Sequence, residues 1–423
     1  MADLIALRAD THVDGTSRSR PAAAARPIGI LQRAESFSDG VDRLTGGGET
    51  PLNLVIEDTL GPVEALIHGK PTLLFGTNNY LGLNHHPECV RAATEAVAHH
   101  GTGSTASRVA AGNHADHIKL EEEVAALYGR RYCTVFSTGF MANLGVISAL
   151  AQEGDAIFVD AHSHASIFDA CKLSGASIST FRHNDAKDLD RLFSESKIAS
   201  ARTLVVLEGL YSVWGDVGDL KGIIGTAKRH GALVVVDEAH GMGMYGDNGR
   251  GVTEMLGLED MVDVIVGTFS KSVGVIGGFA VTNHFGLRAL RYMARAYLYT
   301  ASLPPAVAAS ARAAVRLIAT KPELRETLWR NARAFHAGLA GIGLSPCAAA
   351  GPVGAIRMPG MMGGYAFWRG LLQRGVYVNM LIPPATPDNH VVLRFSVSAA
   401  HTPAHIETAI AAFRDVKRSL PNT

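Results

Sequence analysis

Cysteine is scarce in this chain and never clustered: Cys89, Cys133, Cys171 and Cys347 are the whole set, and no two of them form a Cys-x-x-Cys pair. That spacing argues against zinc ribbons, dithiol redox motifs and a disulfide framework, and makes a reducing cytoplasm the expected compartment. An excess of either charge is missing too, since 39 basic residues face 39 acidic ones. Nothing electrostatic favours a grip on nucleic acid or on an acidic surface. No stretch approaches the roughly 20 apolar residues of an integral membrane segment, and the first ten residues lack the charged-then-apolar order of an export signal. The expected partners are therefore small molecules and further copies of the chain.

What the sequence has in quantity is glycine, 45 of 423 residues, above the usual share of about 7%. The glycines are grouped, with no collagen-like period, so particular places need backbone freedom. The length also exceeds the roughly 100–200 residues of one ordinary domain. Residues 1–52 read as an arm and linker, with one helix candidate from Ile28 to Val41 before Gly46-Gly47-Gly48. Residues 53–305 read as a large domain that opens on an extended segment, with candidates at Leu54–Ile56, Ala65–Ile67 and Thr72–Phe75. Seven apolar runs follow: Cys133–Ser137, Ala156–Val159, Ile178–Phe181, Leu204–Leu207, Leu233–Val236, Asp263–Gly267 and Phe279–Val281, mostly with amphipathic helices between them. Such alternation predicts an α/β fold with a mostly parallel sheet buried on both faces. Residues 306–423, a long helical stretch to about Ile342 followed by shorter elements, read as a smaller C-terminal α/β domain.

Ligands in such sheets sit at the carboxyl ends of the strands, and three of those ends carry chemistry. Leu233–Val236 runs into Asp237-Glu238-Ala239-His240, and Asp263–Gly267 into Thr268-Phe269-Ser270-Lys271. A lysine just past a buried strand either snorkels to water or is desolvated into a Schiff-base nucleophile. Asp237 either caps its turn or pairs with a protonated pyridine nitrogen. The third end gives Asp160-Ala161-His162-Ser163-His164, where an imidazole could stack on a flat cofactor; no third ligand accompanies the two histidines, so no metal site is expected. Ser137-Thr138-Gly139-Phe140 starts a helix after a strand, either a phosphate site or an ordinary capped start. A rival signal is Gly241-Met-Gly243-Met-Tyr-Gly246, which matches G-x-G-x-x-G but lies past its strand; it would suit an NAD-dependent oxidoreductase. His114-x-x-His117 reads as helix surface or core.

Together, Asp237-Glu-Ala-His240, Thr268-Phe-Ser-Lys271 and His164-Ala-Ser166 closely resemble the α-oxoamine synthases, pyridoxal-phosphate enzymes of fold type I. Asn78-Asn-Tyr80-Leu-Gly82, Glu208-Gly-Leu-Tyr-Ser212, Gly246-x-x-Gly249-Arg250-Gly251 and Thr300-Ala-Ser302-Leu-Pro-Pro305 fall where that family has them, so the resemblance runs from about Asn53 to the C-terminus. Within the family the chain is most similar to the bacterial serine palmitoyltransferases, at Arg182-His183-Asn184, Tyr377-Val-Asn-Met380 and Pro383-Pro-Ala-Thr-Pro387.

The resemblance implies a homodimer with shared active sites and pyridoxal 5'-phosphate bound covalently to Lys271. It implies that Asp237 pairs the ring nitrogen, His164 stacks on the ring and His240 bonds the phenolic oxygen. Gly139, Phe140, Thr268 and Ser270 would hold the cofactor and its phosphate, with Ser212 nearby and Thr300 reaching across from the partner subunit. Arg394, with Asn79 and Tyr80, would meet the substrate. The implied reaction joins an amino acid to an acyl-CoA or acyl-carrier protein with loss of CO2. L-serine with palmitoyl-CoA is the first expectation, L-alanine with pimeloyl thioester the second, and glycine-using relatives a third. One departure stands out: the arginine that directly precedes the Pro-Pro-Ala-Thr-Pro loop in the bacterial serine palmitoyltransferase pattern is here Ile382.

Overall fold

The computed structural model describes residues 29–45, 50–383, 385–386 and 390–420. Most of the expected arm, through residue 28, lies outside the described residues, as do Gly46-Gly47-Gly48 and the Pro384 and Pro387 of the loop before the last strand. The helix expected from Ile28 spans Ile30–Thr45.

Three strands come first, β1 (Asp58–Gly61), β2 (Glu64–Ile67) and β3 (Lys70–Leu74), paired antiparallel in that order. The Leu54–Ile56 candidate stays outside them, since ladder pairing begins at Asp58. The next seven strands build the central sheet: β4 (Tyr132–Phe136), β5 (Ala156–Asp160), β6 (Ser177–Phe181), β7 (Thr203–Glu208), β8 (Leu233–Asp237), β9 (Val264–Thr268) and β10 (Gly278–Thr282). Their order is β4-β10-β9-β8-β7-β5-β6. Each neighbouring pair is parallel except the two that involve β10. The reversal has a simple cause: residues 269–277 are fewer than the dozen or so that a parallel crossover needs.

Alternate residues of the central strands feed two cores. Phe158, Val205, Leu207, Val234 and Val236 face one, and Ile157, Val159, Val206 and Val235 the other. Both faces are therefore dry, which is why the strands read as unbroken apolar runs.

The remaining strands, β11 (Val353–Met358), β12 (Val376–Tyr377), β13 (Asn379–Leu381) and β14 (Val391–Ser396), belong to the C-terminal unit. Three form an antiparallel sheet β11-β14-β13, while β12 pairs parallel with β3. Ala65, Ile67, Leu73, Leu74 and Phe75 accordingly share a core with Trp368, Val376, Phe395 and Phe413. Packing crosses the expected bounds at two points. The extended segment assigned to residues 53–305 packs on the small unit, because its ladder partner β12 lies there. The helix Pro305–Thr320, assigned to residues 306–423, buries Ala308, Ala311, Ala314 and Ile318 in the large core. The single helical stretch expected to Ile342 is two helices, Pro305–Thr320 and Pro322–Gly341. Lys321, at φ −124° and ψ 68°, is driven out of helical geometry by the proline that follows it.

Candidate active site

The parallel strands β5, β7, β8 and β9 end on one edge, and each ends on a polar residue: Asp160, Glu208, Asp237 and Thr268. Past that edge lies a cavity of about 260 Å³, lined by Thr138, Gly139, Phe140, Asn143, His164, Ser166, Glu208, Asp237, His240, Thr268, Ser270, Lys271 and Gly277, among others. Eight of the residues singled out from the sequence thus meet in one place: Lys271, Asp237, His164, His240, Gly139, Phe140, Thr268 and Ser270.

Lys271 sits in the turn between β9 and the reversed β10. Loss of water pulls its amine down to about 8, against the opposing pull of Asp237 and Glu208 and with some help from Arg394. An amine lowered this far is neutral more often at a given pH than a solvated lysine, which is what a nucleophile or base needs. Between the alternatives of snorkelling and desolvation, the fold gives desolvation.

Asp237 is buried, and both of its oxygens accept: Oδ1 from the Ala239 backbone N–H at 2.8 Å, Oδ2 from Asn143 Nδ2 at 2.7 Å. Asn143 Nδ2 also donates to Ser166 Oγ at 3.0 Å. His164 caps the helix Ala165–Ser174, with Nδ1 accepting from the Ser166 N–H and lying 2.8 Å from Ser166 Oγ. With Nδ1 occupied as an acceptor, the ring proton belongs on Nε2. Burial, offset by Asp237 and reinforced by Lys271, holds this imidazole below its ordinary value. The His164 backbone N–H donates to Glu208, whose carboxyl is pushed well up by burial first and by Asp237 second.

His240 is fully enclosed, and burial, Lys271, Arg394 and His164 all disfavour its charged form. Its Nδ1 lies 2.7 Å from the Tyr80 hydroxyl, which in turn lies 3.1 Å from Asn78 Oδ1. Arg394, on β14, reaches the same group: Nη2 donates to Asn78 Oδ1 at 3.1 Å and to the Tyr80 hydroxyl at 3.4 Å, and Nε to the Ser212 carbonyl at 2.6 Å. The small unit thus delivers a guanidinium behind the cavity.

At the other end, Thr138 caps the helix Gly139–Leu150 through the Met141 N–H. A Cβ on Gly139 would meet Thr268 Cβ at 2.7 Å, so only glycine lets this helix start approach β9. Thr268 Oγ1 and Ser270 Oγ stand 2.9 Å apart beside it. Hydroxyls, a helix N-terminus and a close glycine make an anion cradle. Beside that cradle lie an amine and a buried carboxylate, a donor set that fits pyridoxal phosphate.

Five expected residues do not line the cavity: Tyr80 and Arg394 stand behind it, bonded to each other, and three more lie apart. Asn79 donates to the Pro62 carbonyl and to Asn84. Ser212 touches the site only through its carbonyl. Thr300 borders a separate small cavity with Arg108, His117, Ser137 and Tyr297. His117 is buried, its Nε2 2.7 Å from the Leu303 carbonyl, which settles it as core. The Gly241–Gly246 fingerprint forms a turn with positive φ at Gly243 and Gly246, and no helix starts until Val252. A dinucleotide loop needs its helix directly after the glycines, so this rival loses its structural support. Among the described residues, no group of His, Cys, Asp or Glu is arranged to hold a metal ion.

Two further residues line the cavity without a signal of their own in the sequence. Glu208 was noticed only as part of a motif, although it is a strand-end carboxylate by the same logic that picked Asp237. Asn143 lies mid-helix, where nothing in the sequence separates it from a solvated amide.

A lysine, an aspartate and two imidazoles at the carboxyl edge of this sheet define a fold-type-I pyridoxal-phosphate enzyme. The family described as aminotransferase class I and II matches residues 70–413. Serine palmitoyltransferase of Caulobacter vibrioides is 44% identical over 393 residues, 93% of this chain and 97% of the relative. 8-Amino-7-oxononanoate synthase of Saccharophagus degradans is 38% identical over 352 residues, 83% and 88% of the two chains. Among solved structures, serine palmitoyltransferase of Sphingomonas paucimobilis with a bound PLP–myriocin aldimine superposes with a TM-score of 0.91 at 43% identity, covering 94% of this chain and all of that one. The chain belongs to the class I and II aminotransferase family and, within it, to the α-oxoamine synthases.

Proposed function

We propose that the protein condenses L-serine with palmitoyl-CoA, releasing CO2 and CoA and forming 3-ketodihydrosphingosine. Supporting the choice of substrates, serine palmitoyltransferases of two bacteria are 44% and 45% identical to the chain, against 38% for the oxononanoate synthase of S. degradans. On the structural side, the reading rests on one arrangement: Lys271, Asp237 and His164 share a cavity, and Arg394 stands behind it from the small unit, bonded to Asn78 and Tyr80.

Pyridoxal phosphate, when bound, supplies the electron sink that a broken Cα bond requires. Lys271 would anchor it, and its depressed amine is the group that would take the proton from the amino acid's Cα. Asp237, fixed by Asn143 and Ala239, would keep a proton on the ring nitrogen, with His164 against the ring and His240 for the phenolic oxygen. Gly139, Phe140, Thr268 and Ser270 would bind the phosphate end, and the Ser212 carbonyl holds Arg394. Arg394 pairs with the amino acid carboxylate, and Asn79 and Tyr80 shape that side of the site. Thr300 serves the other subunit of a homodimer, since within its own chain it faces a different cavity.

The enzyme acts in the cytoplasm; among the described residues no helix is long and apolar enough to cross a membrane. Ile382 favours a second reading, because it places no charge where the serine palmitoyltransferase pattern has an arginine. L-alanine with a pimeloyl thioester, on CoA or a carrier protein, would need only Arg394. Measuring CoA release with serine, alanine and glycine against acyl-CoAs of several lengths decides between them. Serine with long chains is the expected pair, and inert serine rejects it in favour of the second reading.

A further inference from the structure

Beside the cofactor cleft, the ends of β5 and β6 and the loop after β7 enclose a second group of ionisable side chains that the reaction above does not use. His183, just past β6, has a carboxylate on each ring nitrogen: Nδ1 lies 2.8 Å from Asp160 Oδ1 and Nε2 lies 2.7 Å from Asp216 Oδ2. Two carboxylate acceptors require two N–H donors. Asp160 also accepts the backbone N–H groups of His162 and Asn184. The His162 ring stacks on His183 at 3.9 Å and 17°, and the Tyr211 ring meets it edge-on at 4.5 Å. Asn184 Nδ2 lies 3.0 Å from His183 Nε2 and 3.4 Å from Asp216, and its Oδ1 takes the Asp219 N–H. Asn184 has φ +55°, a left-handed backbone held in place by these contacts. Arg182, the other cation on this turn, faces outward to Asp185 and Asp188. Burial works to lower the His183 ring, and the two carboxylates overcome it, lifting the group to about 9.

Each carboxylate belongs to a loop that enters the active site. Asp160 begins the turn that ends at His164. Asp216 closes a turn with Tyr211, whose N–H donates to the Asp216 carbonyl, and the next residue is Ser212, the acceptor for Arg394 Nε. We propose that His183 is a positioning residue: as an imidazolium clamped between Asp160 and Asp216, it ties the loop of His164 to the loop of Ser212 and thereby sets Arg394 for the substrate carboxylate. This rests on the roles given above to His164 and Arg394.

The test uses the holoenzyme and the variants His183→Gln, Asp216→Asn and both together. If the clamp acts as one unit, each single change raises the KM for the amino acid about tenfold. The double change is then no worse than either single one, and the KM for the acyl donor and the affinity for pyridoxal phosphate hold. Unchanged amino acid KM overturns the proposal, as does a parallel fall in all constants together with melting temperature. Should His183→Gln fail to fold, Asp216→Asn alone carries the comparison. Imidazole NMR of the wild type gives an independent reading: a His183 titration near 9 supports the clamp, and one near the ordinary 6.5 rejects it. If the wild type processes no amino acid at all, the assignment of function fails while the titration still judges the clamp.

Discussion

Asn143 Nδ2 donates to Asp237 Oδ2 at 2.7 Å and to Ser166 Oγ at 3.0 Å, and Ser166 in turn borders His164 Nδ1 at 2.8 Å. One buried amide therefore orients the carboxylate assigned to the cofactor nitrogen and, through a hydroxyl, the imidazole assigned to its face. Removing it leaves Asp237 held by Ala239 alone. Asn143→Ala is expected to weaken pyridoxal phosphate binding about tenfold, the scale of one lost buried hydrogen bond to a charge. Asn143→Asp should do worse, because it sets a second carboxylate against the first. Absorbance titration of the apoprotein measures both, and equal affinity for all three proteins would remove Asn143 from the site.

Lys271 carries the sharpest pH expectation. Its amine is depressed to about 8, so the reactive neutral form grows as pH rises through that value. The rate at which the apoprotein takes up pyridoxal phosphate should rise with pH and level off above about 8. A rise that continues toward 10 would mean the amine is solvated. Borohydride should fix a pyridoxyl mass on the wild type at this residue. Lys271→Arg, which keeps the charge but not the nucleophile, should show neither the mass nor turnover.

The strand-end logic that found Asp237, Lys271 and His164 works because a parallel sheet collects its carboxyl ends on one edge, so short sequence windows report a shared location. It stops where location depends on long-range pairing. The Asn379 side chain donates to the Gly76 carbonyl across 303 residues, beside the β3–β12 ladder, and no local pattern announces that the first strands join the last unit. By the same limit no local pattern joins Tyr80 to Arg394, 314 residues apart; only the family resemblance sets them on one side of the site. Asn143 was missed for a different reason: a mid-helix amide looks alike in sequence whether it faces water or a buried carboxylate.

Glu208 is expected to be protonated in the folded enzyme, since burial and Asp237 raise its carboxyl well above the ordinary range. For an acid whose folded value is raised, the folded state loses stability as pH climbs from the unfolded value toward the folded one. Glu208→Gln, neutral and of the same shape, should therefore fold at least as well as the wild type at pH 8 and still accept the His164 N–H. Glu208→Leu strands that N–H and should cost about 1–3 kcal/mol. Thermal melts of the two variants at pH 6 and pH 8 check the sign. A Gln variant clearly less stable than the wild type would show that the carboxylate is ionised.

Arg394 joins the two halves of the site, because its guanidinium meets Asn78 and Tyr80 while Tyr80 holds His240 at 2.7 Å. Arg394→Lys keeps a positive charge but cannot bond Ser212, Asn78 and a substrate carboxylate at fixed angles. The KM for the amino acid should rise about 10–100-fold, with the acyl donor KM little changed, matching the loss of a charge-assisted fork worth roughly 1.5–3 kcal/mol. Tyr80→Phe keeps the ring packed but removes the hydroxyl from both His240 and Arg394. It should raise the same KM by less and shift the absorbance of the bound cofactor, because His240 loses its anchor. Steady-state kinetics on the two substrates, read alongside that spectrum, distinguish the roles. If Arg394→Lys lowers kcat and leaves the amino acid KM intact, Arg394 is not the carboxylate partner and the missing arginine at Ile382 has another replacement.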